Sequence, residues 1–540
     1  MSKEQKQSFV KGAAILSIST FIVKILGLAF SIPIANIVSV QGMSYFYTAY
    51  DIFLIFMVIS SSGIPTAISR MVGTSIDAGR KDDAEKVHKV ALYCYLIIGF
   101  VGMLIMSVFA EQTAGLMGNP NAKLSIVALA PTTFFISIAS IYRGYFQGKS
   151  NMIPSGVSQI IEATTKVFIG VSLAIIVLRL TSSDELTSAA AITAVPISSF
   201  FAVVFLIYYK FKQNKREAYK FNKKNVTLRT KSIVIELFRF SIPIIIGVSL
   251  LQIIDAADMV LVMNRLQDSV GMTIDQAEWA RGVLGHTRKF FDLPTSFIMP
   301  LAISLLPVLS VAIINNRQKD VKRYSNNSIK LTILFAMPAT IGMIIFAKPI
   351  CELLLINRPE AVASTAELLS VISIAVVINS SISITTAILN SFAKTTIPIR
   401  NVLIGGVIKL MLTYILVGIP EINVMGSAIS TVISYTIMLI LNVFSVKKLL
   451  PDMNGYFKTL FKPLLSSVAM GIGSYAFYLL LTMFIPSYIA IIPSIFVALA
   501  LYVLFAIIFK ALAYDDIIML PKGKTLARIL KIKKTELDIK

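Results

Sequence analysis

Fourteen long apolar stretches recur along this chain, and they constrain its fold more than any other feature of the sequence. Each is close to or above the roughly 20 residues that an α-helix needs to cross the hydrocarbon core of a bilayer. They are numbered here as spans 1–14 and cover residues 9–35, 44–69, 90–110, 124–142, 153–178, 186–209, 233–263, 290–314, 331–353, 368–392, 397–417, 424–446, 463–484 and 489–509. Only 14% of the residues are charged, against roughly 25% in soluble domains. The sequence therefore predicts an all-α polytopic membrane protein and excludes an ordinary soluble enzyme.

Residue types that build metal and nucleotide sites are scarce. The two cysteines, Cys94 and Cys351, lie in apolar stretches, and the two histidines, His88 and His286, are 198 residues apart. The sequence contains no HExxH, GxxxxGK[ST] or TVGYG segment, which are typical of metalloproteases, nucleotide hydrolases and potassium channels. We therefore expect no metal site, no cofactor and no ATP hydrolysis. The net charge of +22 is explained by basic cytoplasmic loops, so we expect no nucleic-acid partner.

The distribution of Lys and Arg predicts the orientation of the chain. If the N-terminus is cytoplasmic, the inner segments carry 38 of the 50 Lys and Arg residues and the outer loops carry seven. Because positively charged loops stay on the cytoplasmic side, both termini are predicted to be cytoplasmic. The connection 211–232 is the most basic of the inner loops, and the tail 514–540 places apolar residues among basic ones at helical spacing, as helices at a membrane surface do.

Similar segments recur at a half-chain offset, which indicates an internal duplication. Span 2 contains AYDIFLIF and span 8 contains FFDLPTSF, and Asp51 and Asp292 in these segments are 241 residues apart. Lys166 in span 5 and Lys409 in span 11 are 243 residues apart. Two related bundles are common in transporters. The predicted organisation is a six-helix bundle (1–210), a basic linker (211–232), a second six-helix bundle (233–446), spans 13 and 14 (447–513) and a basic amphipathic cytoplasmic tail (514–540).

Ionisable residues inside the spans are the best functional leads, since each costs at least about 2.5–3.5 kcal/mol at the bilayer centre. Lys24 lies in the middle of span 1, and we expect it to line an aqueous cavity in preference to forming a buried structural ion pair. Glu162 and Lys166 are four residues apart in span 5. Residues at this spacing are neighbours on a helix, so we predict a structural pair that neutralises itself.

Two acidic residues on span 7 and one lysine on span 11 form a second group of candidates. Asp255 and Asp258 cannot both face lipid, and Lys409 is a candidate partner at comparable depth. A fixed Asp255–Lys409 bridge would serve structure, whereas a bridge that breaks during transport would serve coupling. The sequence leaves both possibilities open.

Three segments carry a resemblance to a known family: GIPTAISR at 63–70, YRGYFQG at 142–148 and FDLP at 291–294. With fourteen spans in two six-helix halves plus two, the sequence resembles the polysaccharide-exporter branch of the multidrug/oligosaccharidyl-lipid/polysaccharide (MOP) flippase superfamily. Within that branch it is most similar to the Gram-positive lipid II flippases of the MurJ/YtgP type and their sporulation relative SpoVB. The resemblance implies a MATE-like fold and the movement of an undecaprenyl-diphosphate-linked sugar precursor, lipid II, to the outer leaflet by alternating access.

The resemblance also suggests roles for particular residues. The resemblance implies that Lys24 and Lys289 match basic positions that meet the diphosphate, and Asp51 in span 2 and Arg70 directly after that span complete the candidate substrate contacts. Two features depart from the family pattern. Where Gram-negative members place arginines in span 2, this sequence has Asp51 and an apolar FLIFMV run. Lys409 occupies a span-11 position at which, by the resemblance, some relatives bind sodium.

The resemblance implies a bacterial plasma-membrane protein that transports and does not catalyse. Its expected partners are the lipid-linked precursor, membrane lipids and the cell-wall synthesis machinery, and it is expected to be a monomer. Three alternatives remain open: a flippase for another lipid-linked polysaccharide, a multidrug cation exporter of the same fold, and a membrane glycan polymerase or ligase. The last class needs a large outer loop with catalytic residues, and the longest outer loop here, about 264–289, is short.

Overall fold

A computed structural model describes residues 3–61, 63–216, 219, 221–451 and 456–512, and these residues are helical with no strand among them. The predicted tail 514–540 lies outside the described residues. The α-helices are α1 (Lys3–Ile37), α2 (Val40–Ser61), α3 (Ile64–Asp77), α4 (Lys81–Val108), α5 (Ala110–Leu116), α6 (Lys123–Leu129), α7 (Pro131–Gly148), α8 (Ile153–Thr181), α9 (Asp184–Arg216), α10 (Thr230–Asp268), α11 (Ile274–Ile314), α12 (Gln318–Ile345), α13 (Ala347–Leu354), α14 (Pro359–Ile372), α15 (Ile374–Ser391), α16 (Thr396–Val417), α17 (Met425–Leu449), α18 (Tyr456–Thr482) and α19 (Ser487–Ile508).

Every predicted span coincides with one helix or with two consecutive helices. Spans 2, 4, 9 and 10 are each divided, into α2 and α3, α6 and α7, α12 and α13, and α14 and α15. The first break is at Gly63, whose φ of 78° is left-handed and therefore favours glycine, and Pro65 follows in the first turn of α3. The second break falls at Ala130, directly before Pro131. Proline lacks a backbone donor and suits the first turn of a new helix.

Thirteen helical segments of the described chain are long and apolar enough to cross a membrane. They agree with the predicted spans except that span 8 lies in α11, which is not among the thirteen. The all-helical membrane fold is thus confirmed, and the count of fourteen stays a prediction.

The chain forms two compact units, Met1–Gly285 and His286–Lys540, and α11 begins in the first and ends in the second. In the first unit, α8 packs along α1 and α9, while α7 packs against α3, α4 and α9. In the second unit, α12 packs against α15 and α18, α16 against α17, and α18 against α19. The predicted organisation into two six-helix bundles, 1–210 and 233–446, comes from the sequence recurrence and stays a prediction.

The basic linker between α9 and α10 is bound by two neighbouring aspartates near the start of α4. Asp82 accepts a hydrogen bond from the backbone N–H of Asn222 at 3.0 Å. Asp83 accepts hydrogen bonds from the backbone N–H groups of Thr227 at 2.8 Å and Leu228 at 3.0 Å. The hydrogen bond from Asn222 helps to hold the pKa of the Asp82 carboxyl below its ordinary value. The described part of this linker therefore packs against the start of α4.

Candidate functional site

A buried ion pair joins α2 to the first turns of α11. The Arg281 guanidinium is 2.5 Å from a carboxylate oxygen of Asp51, and the two side chains are 2% and 22% exposed, respectively. The guanidinium also lies 5.9 Å from the ring centroid of Tyr47. Asp51 was predicted to contact substrate, and the structure gives it a partner within the protein that sequence reasoning did not name. We refer to this region, where α2 meets residues 274–285 of α11, as the α2–α11 seam.

A second polar cluster at the α2–α11 seam consists of Glu278, Tyr45 and Asn121. Glu278 is fully buried and accepts hydrogen bonds from the Tyr45 hydroxyl at 2.8 Å and the Asn121 side-chain amide at 2.9 Å. Both donors favour the ionised carboxylate, but burial outweighs them and raises the pKa of the Glu278 carboxyl to about 7. Glu278 precedes predicted span 8 in the chain. Because its pKa is about 7, its protonation changes with pH near neutrality.

Two glycines allow the helices of the seam to approach each other closely. A Cβ atom added at Gly282 would overlap the backbone carbonyl of Val40, and one added at Gly285 would overlap the ring of Tyr47. Gly282 and Gly285 are three residues apart, so both lie on the face of α11 that meets α2. Small residues at helix contacts are common in membrane proteins because they bring two backbones together.

The three predicted cationic substrate contacts are exposed. Lys24 lies on α1 and Lys289 on α11, and both side chains are exposed. Arg70 on α3 is also exposed, and its guanidinium lies 4.2 Å from the ring centroid of Phe240. Lys24 and Arg70 belong to the first unit and Lys289 to the second. Their roles as substrate contacts stay predictions.

The predicted Glu162–Lys166 pair takes a different form in the structure. The direct ion-pair partner of Glu162 is Arg143 of α7, at 2.8 Å, and the Ser199 hydroxyl donates to the other carboxylate oxygen at 2.9 Å. The Lys166 ammonium lies 5.1 Å from the ring centroid of Phe30. Tertiary packing brought a better partner to Glu162 than its neighbour along the helix, since Arg can donate from a rigid planar group.

The three coupling candidates lie on two helices, α10 and α16. Asp255 on α10 is half-buried and Asp258 is fully buried. Lys409 on α16 is 3% exposed. Asp255 and Asp258 belong to the first unit and Lys409 to the second, and the Asp255–Lys409 pair stays a prediction.

Lys409 lies in a stripe of residues spaced by four along α16. Asn401 donates to Asn442 of α17 at 2.8 Å, and the hydroxyl of Thr413 is 2.8 Å from that of Ser430 of α17. Lys409 falls between these contacts, so its position on the helix places it on the face that packs against α17. Lys409 is therefore placed on the same face of α16 as Asn401 and Thr413, within the second unit.

Sequence reasoning missed Arg281, Glu278 and Arg143 as structural partners. Arg281 was counted among outer-loop charges because it precedes an apolar stretch, yet it is the largest fully buried side chain described. The spacing of Glu278, Arg281, Gly282 and Gly285 along one helical face was the available signal. Among the described residues, no group of three or more His, Cys, Asp and Glu side chains is arranged to hold a metal ion.

The all-helical membrane fold and the matching family models place the chain in the MOP flippase superfamily, a class of membrane transporters. A family model described as polysaccharide biosynthesis protein matches residues 9–313, which is more than half of the chain, and the MatE model matches residues 243–415. The chain belongs to the polysaccharide biosynthesis protein family.

Two relatives and two solved structures illustrate the similarity. The chain is 25% identical over 445 residues to the uncharacterized membrane protein YabM of Bacillus subtilis (strain 168), covering 81% of this chain and 80% of that protein. It is 23% identical over 456 residues to the lipid II flippase MurJ of the same organism, covering 81% and 82%. The fold matches that of a lipid II flippase MurJ in an inward closed conformation, with a TM-score of 0.71, 20% identity and coverage of 94% of this chain and 100% of that one. An inward-facing multidrug resistance MATE family transporter matches with a TM-score of 0.66 and 15% identity, over 82% of this chain and 100% of that one.

Proposed function

We propose that this protein is a flippase that moves an undecaprenyl-diphosphate-linked peptidoglycan precursor, lipid II, from the inner to the outer leaflet by alternating access. The observation that carries the proposal is Lys24, a cation in the middle of an apolar span whose side chain is exposed. A cation at such a position is costly unless it meets water or an anion. A lipid-linked diphosphate supplies the anion, and charge-assisted hydrogen bonds to phosphate oxygens are strong in a site of low dielectric.

Membership of the polysaccharide biosynthesis family and the relatives named as lipid II flippases support this substrate class. Arg70 and Lys289 are further exposed cations that the sequence predicts as substrate contacts. A multidrug cation exporter would instead need free carboxylates in the first half of the chain. Asp51 is the one acidic residue in the first two spans, and it forms an ion pair with Arg281.

The test is replacement of Lys24 in a strain depleted of its own lipid II flippases. Lys24→Ala should abolish growth and cause the precursor to accumulate in the inner leaflet, with the protein still inserted at normal abundance. Lys24→Arg should retain part of the activity because it keeps the charge but changes its hydration and geometry. The matched control is Lys215→Ala, which removes an exposed lysine from the last turn of α9. Full activity of Lys24→Ala would remove this residue from the mechanism.

A flippase for a different lipid-linked saccharide is the second candidate, and the description of the matched family favours it. The same depletion experiment separates the two candidates by the chemical identity of the lipid that accumulates. Accumulation of a glycan lipid without the peptide-bearing precursor would replace lipid II as the substrate.

The proposal includes a plasma-membrane location with both termini in the cytoplasm and a monomeric protein that serves the cell-wall synthesis machinery. Single cysteines introduced at exposed positions of the predicted outer loops 111–123 and 418–423, such as 112 and 421, in a variant lacking Cys94 and Cys351 should react with an impermeant reagent in intact cells. Cysteines introduced at 223–225 should react only after permeabilisation. Labelling of 223–225 in intact cells would contradict this orientation.

A further inference from the structure

The start of α10 lines a cavity of about 460 Å³ that the proposed transport function does not use. Three of its lining residues are cations, Arg229, Lys231 and Arg239, and one is an anion, Glu236. All four side chains are exposed. Within the described residues, no salt bridge joins any of the three cations to a carboxylate. The cavity therefore presents a net positive charge to a ligand.

The backbone around the cavity adds to its attraction for an anion. Arg229 is the N-cap residue of α10 and makes no capping hydrogen bond with its side chain. Residues of the first turn of this long helix line the cavity, and a helix N-terminus favours nearby negative charge.

The connection that leads into the cavity is held in place. Leu228 donates its backbone N–H to Asp83 at 3.0 Å, and its carbonyl accepts a hydrogen bond from the Lys86 ammonium at 2.7 Å. Arg229 follows directly in the chain. The position of the first cation is thus fixed by contacts to α4, and the cavity is a built feature of the first unit.

An apolar track continues from the cavity along α10. Ile235 lines the cavity, and Ile242 and Ile246 lie on the same face of the helix seven and eleven residues further on. All three are exposed. The rise from 235 to 246 is about 16 Å, close to the thickness of about 15 Å of one leaflet of the hydrocarbon core. A positively charged pocket followed by an apolar track of this length matches a phosphate headgroup followed by its acyl chain.

We propose that this cavity is a binding site for an anionic phospholipid, with the lipid phosphate held by Arg229, Lys231 and Arg239 and an acyl chain along Ile235, Ile242 and Ile246. A cavity of about 460 Å³ is near the lower end of the roughly 300–1,000 Å³ of small-ligand pockets, which suits a small headgroup better than an oligosaccharide. The acyl track favours a lipid over a free phosphate. Glu236 opposes a high negative charge and favours a headgroup that carries a single one.

The site is tested with full-length protein purified in a non-ionic detergent. Dioctanoyl phosphatidylglycerol, dioctanoyl phosphatidylcholine and inorganic phosphate are titrated separately, and binding is followed by thermal shift and by native mass spectrometry. The phosphatidylglycerol should bind saturably with one tight site. The phosphatidylcholine should bind at least about tenfold more weakly because it carries no net charge, and inorganic phosphate should neither bind at the same concentrations nor displace the lipid.

The variant R229Q/K231Q/R239Q should weaken phosphatidylglycerol binding by about tenfold or more, since each cation near an anionic lipid surface contributes roughly fivefold. The matched control K215Q/R216Q/K224Q removes three exposed charges outside the cavity and should leave binding within about twofold. Glu236→Gln should tighten binding by a few-fold, a gain that a misfolded protein would not show.

Each of four outcomes would overturn the proposal. Equal weakening by the control variant would mean diffuse attraction to the basic linker. Equal binding of the phosphatidylcholine would mean that charge is not recognised. Competition by inorganic phosphate would make the ligand a free anion, and preferential displacement by undecaprenyl diphosphate would assign the cavity to the transported lipid. The inference does not depend on the identity of the transported substrate, and failure of the Lys24 experiment would leave it intact.

Discussion

Asp51→Asn should destabilise the protein strongly, because it removes the carboxylate that contacts the buried Arg281 guanidinium. The structure gives the three quantities that set the size of the effect. The two groups are 2.5 Å apart, Arg281 is 2% exposed and Asp51 is 22% exposed. Removing one partner of a buried pair costs about 3–5 kcal/mol. Because Asp51 is about one-fifth exposed, we expect a loss of about 3 kcal/mol, at the lower end of that range.

The chain offers a matched control for this substitution. Lys123 and Glu111 form an ion pair of 2.8 Å whose side chains are 50% and 75% exposed. Glu111→Gln makes the same type of change, from carboxylate to amide, at a site where water replaces the lost partner. It should not change the stability measurably, since exposed ion pairs contribute little. The two substitutions therefore differ mainly in burial.

The protein supplies its own reporter for the assay. Trp279 is the one tryptophan in the sequence, and it lies on α11 between Glu278 and Arg281. Its fluorescence during denaturation in mixed micelles reports on unfolding of the α2–α11 seam. Asp51→Asn should lower the free energy of unfolding by about 3 kcal/mol, and the double variant Asp51→Asn/Arg281→Met should recover much of it, because both desolvation costs then disappear. A loss for Asp51→Asn no larger than that for Glu111→Gln would refute the reasoning, as would a double variant that equals the sum of its single variants.

Three further predictions concern the seam and the coupling candidates. Burial raises the pKa of Glu278 from its ordinary 4.5 to about 7, so the unfolded chain binds fewer protons than the folded protein between these values, and stability falls as pH rises through this window. Glu278→Gln should therefore reduce the loss of thermal stability between pH 5.5 and pH 8, and an unchanged loss would mean that Glu278 does not cause this pH dependence. Gly282→Ala should destabilise the protein because the added methyl group meets the α2 backbone. Gly115→Ala in α5 is the control, because a Cβ there meets nothing within 4 Å, and it should be neutral or slightly stabilising. Equal thermal stabilities of the two variants would contradict close packing at the α2–α11 seam. Asp255→Asn and Lys409→Met should each impair transport or folding, and the double variant should recover much of the loss. Transport should also be insensitive to replacing sodium with potassium at constant membrane potential, and strict sodium dependence would count against a lysine that replaces a bound cation.

The sequence alone was sufficient for the class of fold. Spans of about 20 apolar residues force helices because every backbone N–H and C=O in a bilayer must be satisfied within the segment. The family likeness follows from short segments such as GIPTAISR, which are visible without coordinates. Both are local properties of the chain, and the family match and the all-helical structure confirm them.

The partners of the buried charges were decided by tertiary structure. From the sequence, Lys166 was the natural partner of Glu162 because it is one helical turn away, but packing of α7 against α8 brings Arg143 to 2.8 Å. Asp51 and Arg281 are 230 residues apart in the chain, and no periodicity connects them.

The physical reason is a difference in range. Helix formation and membrane insertion depend on residues a few positions apart, so hydropathy predicts them. The choice among several possible ion-pair partners depends on which helix faces approach each other, and that is set by side-chain packing and by glycines such as Gly282 and Gly285 that permit close contact. The sequence therefore determined which elements exist, and the tertiary structure decided which side chains meet.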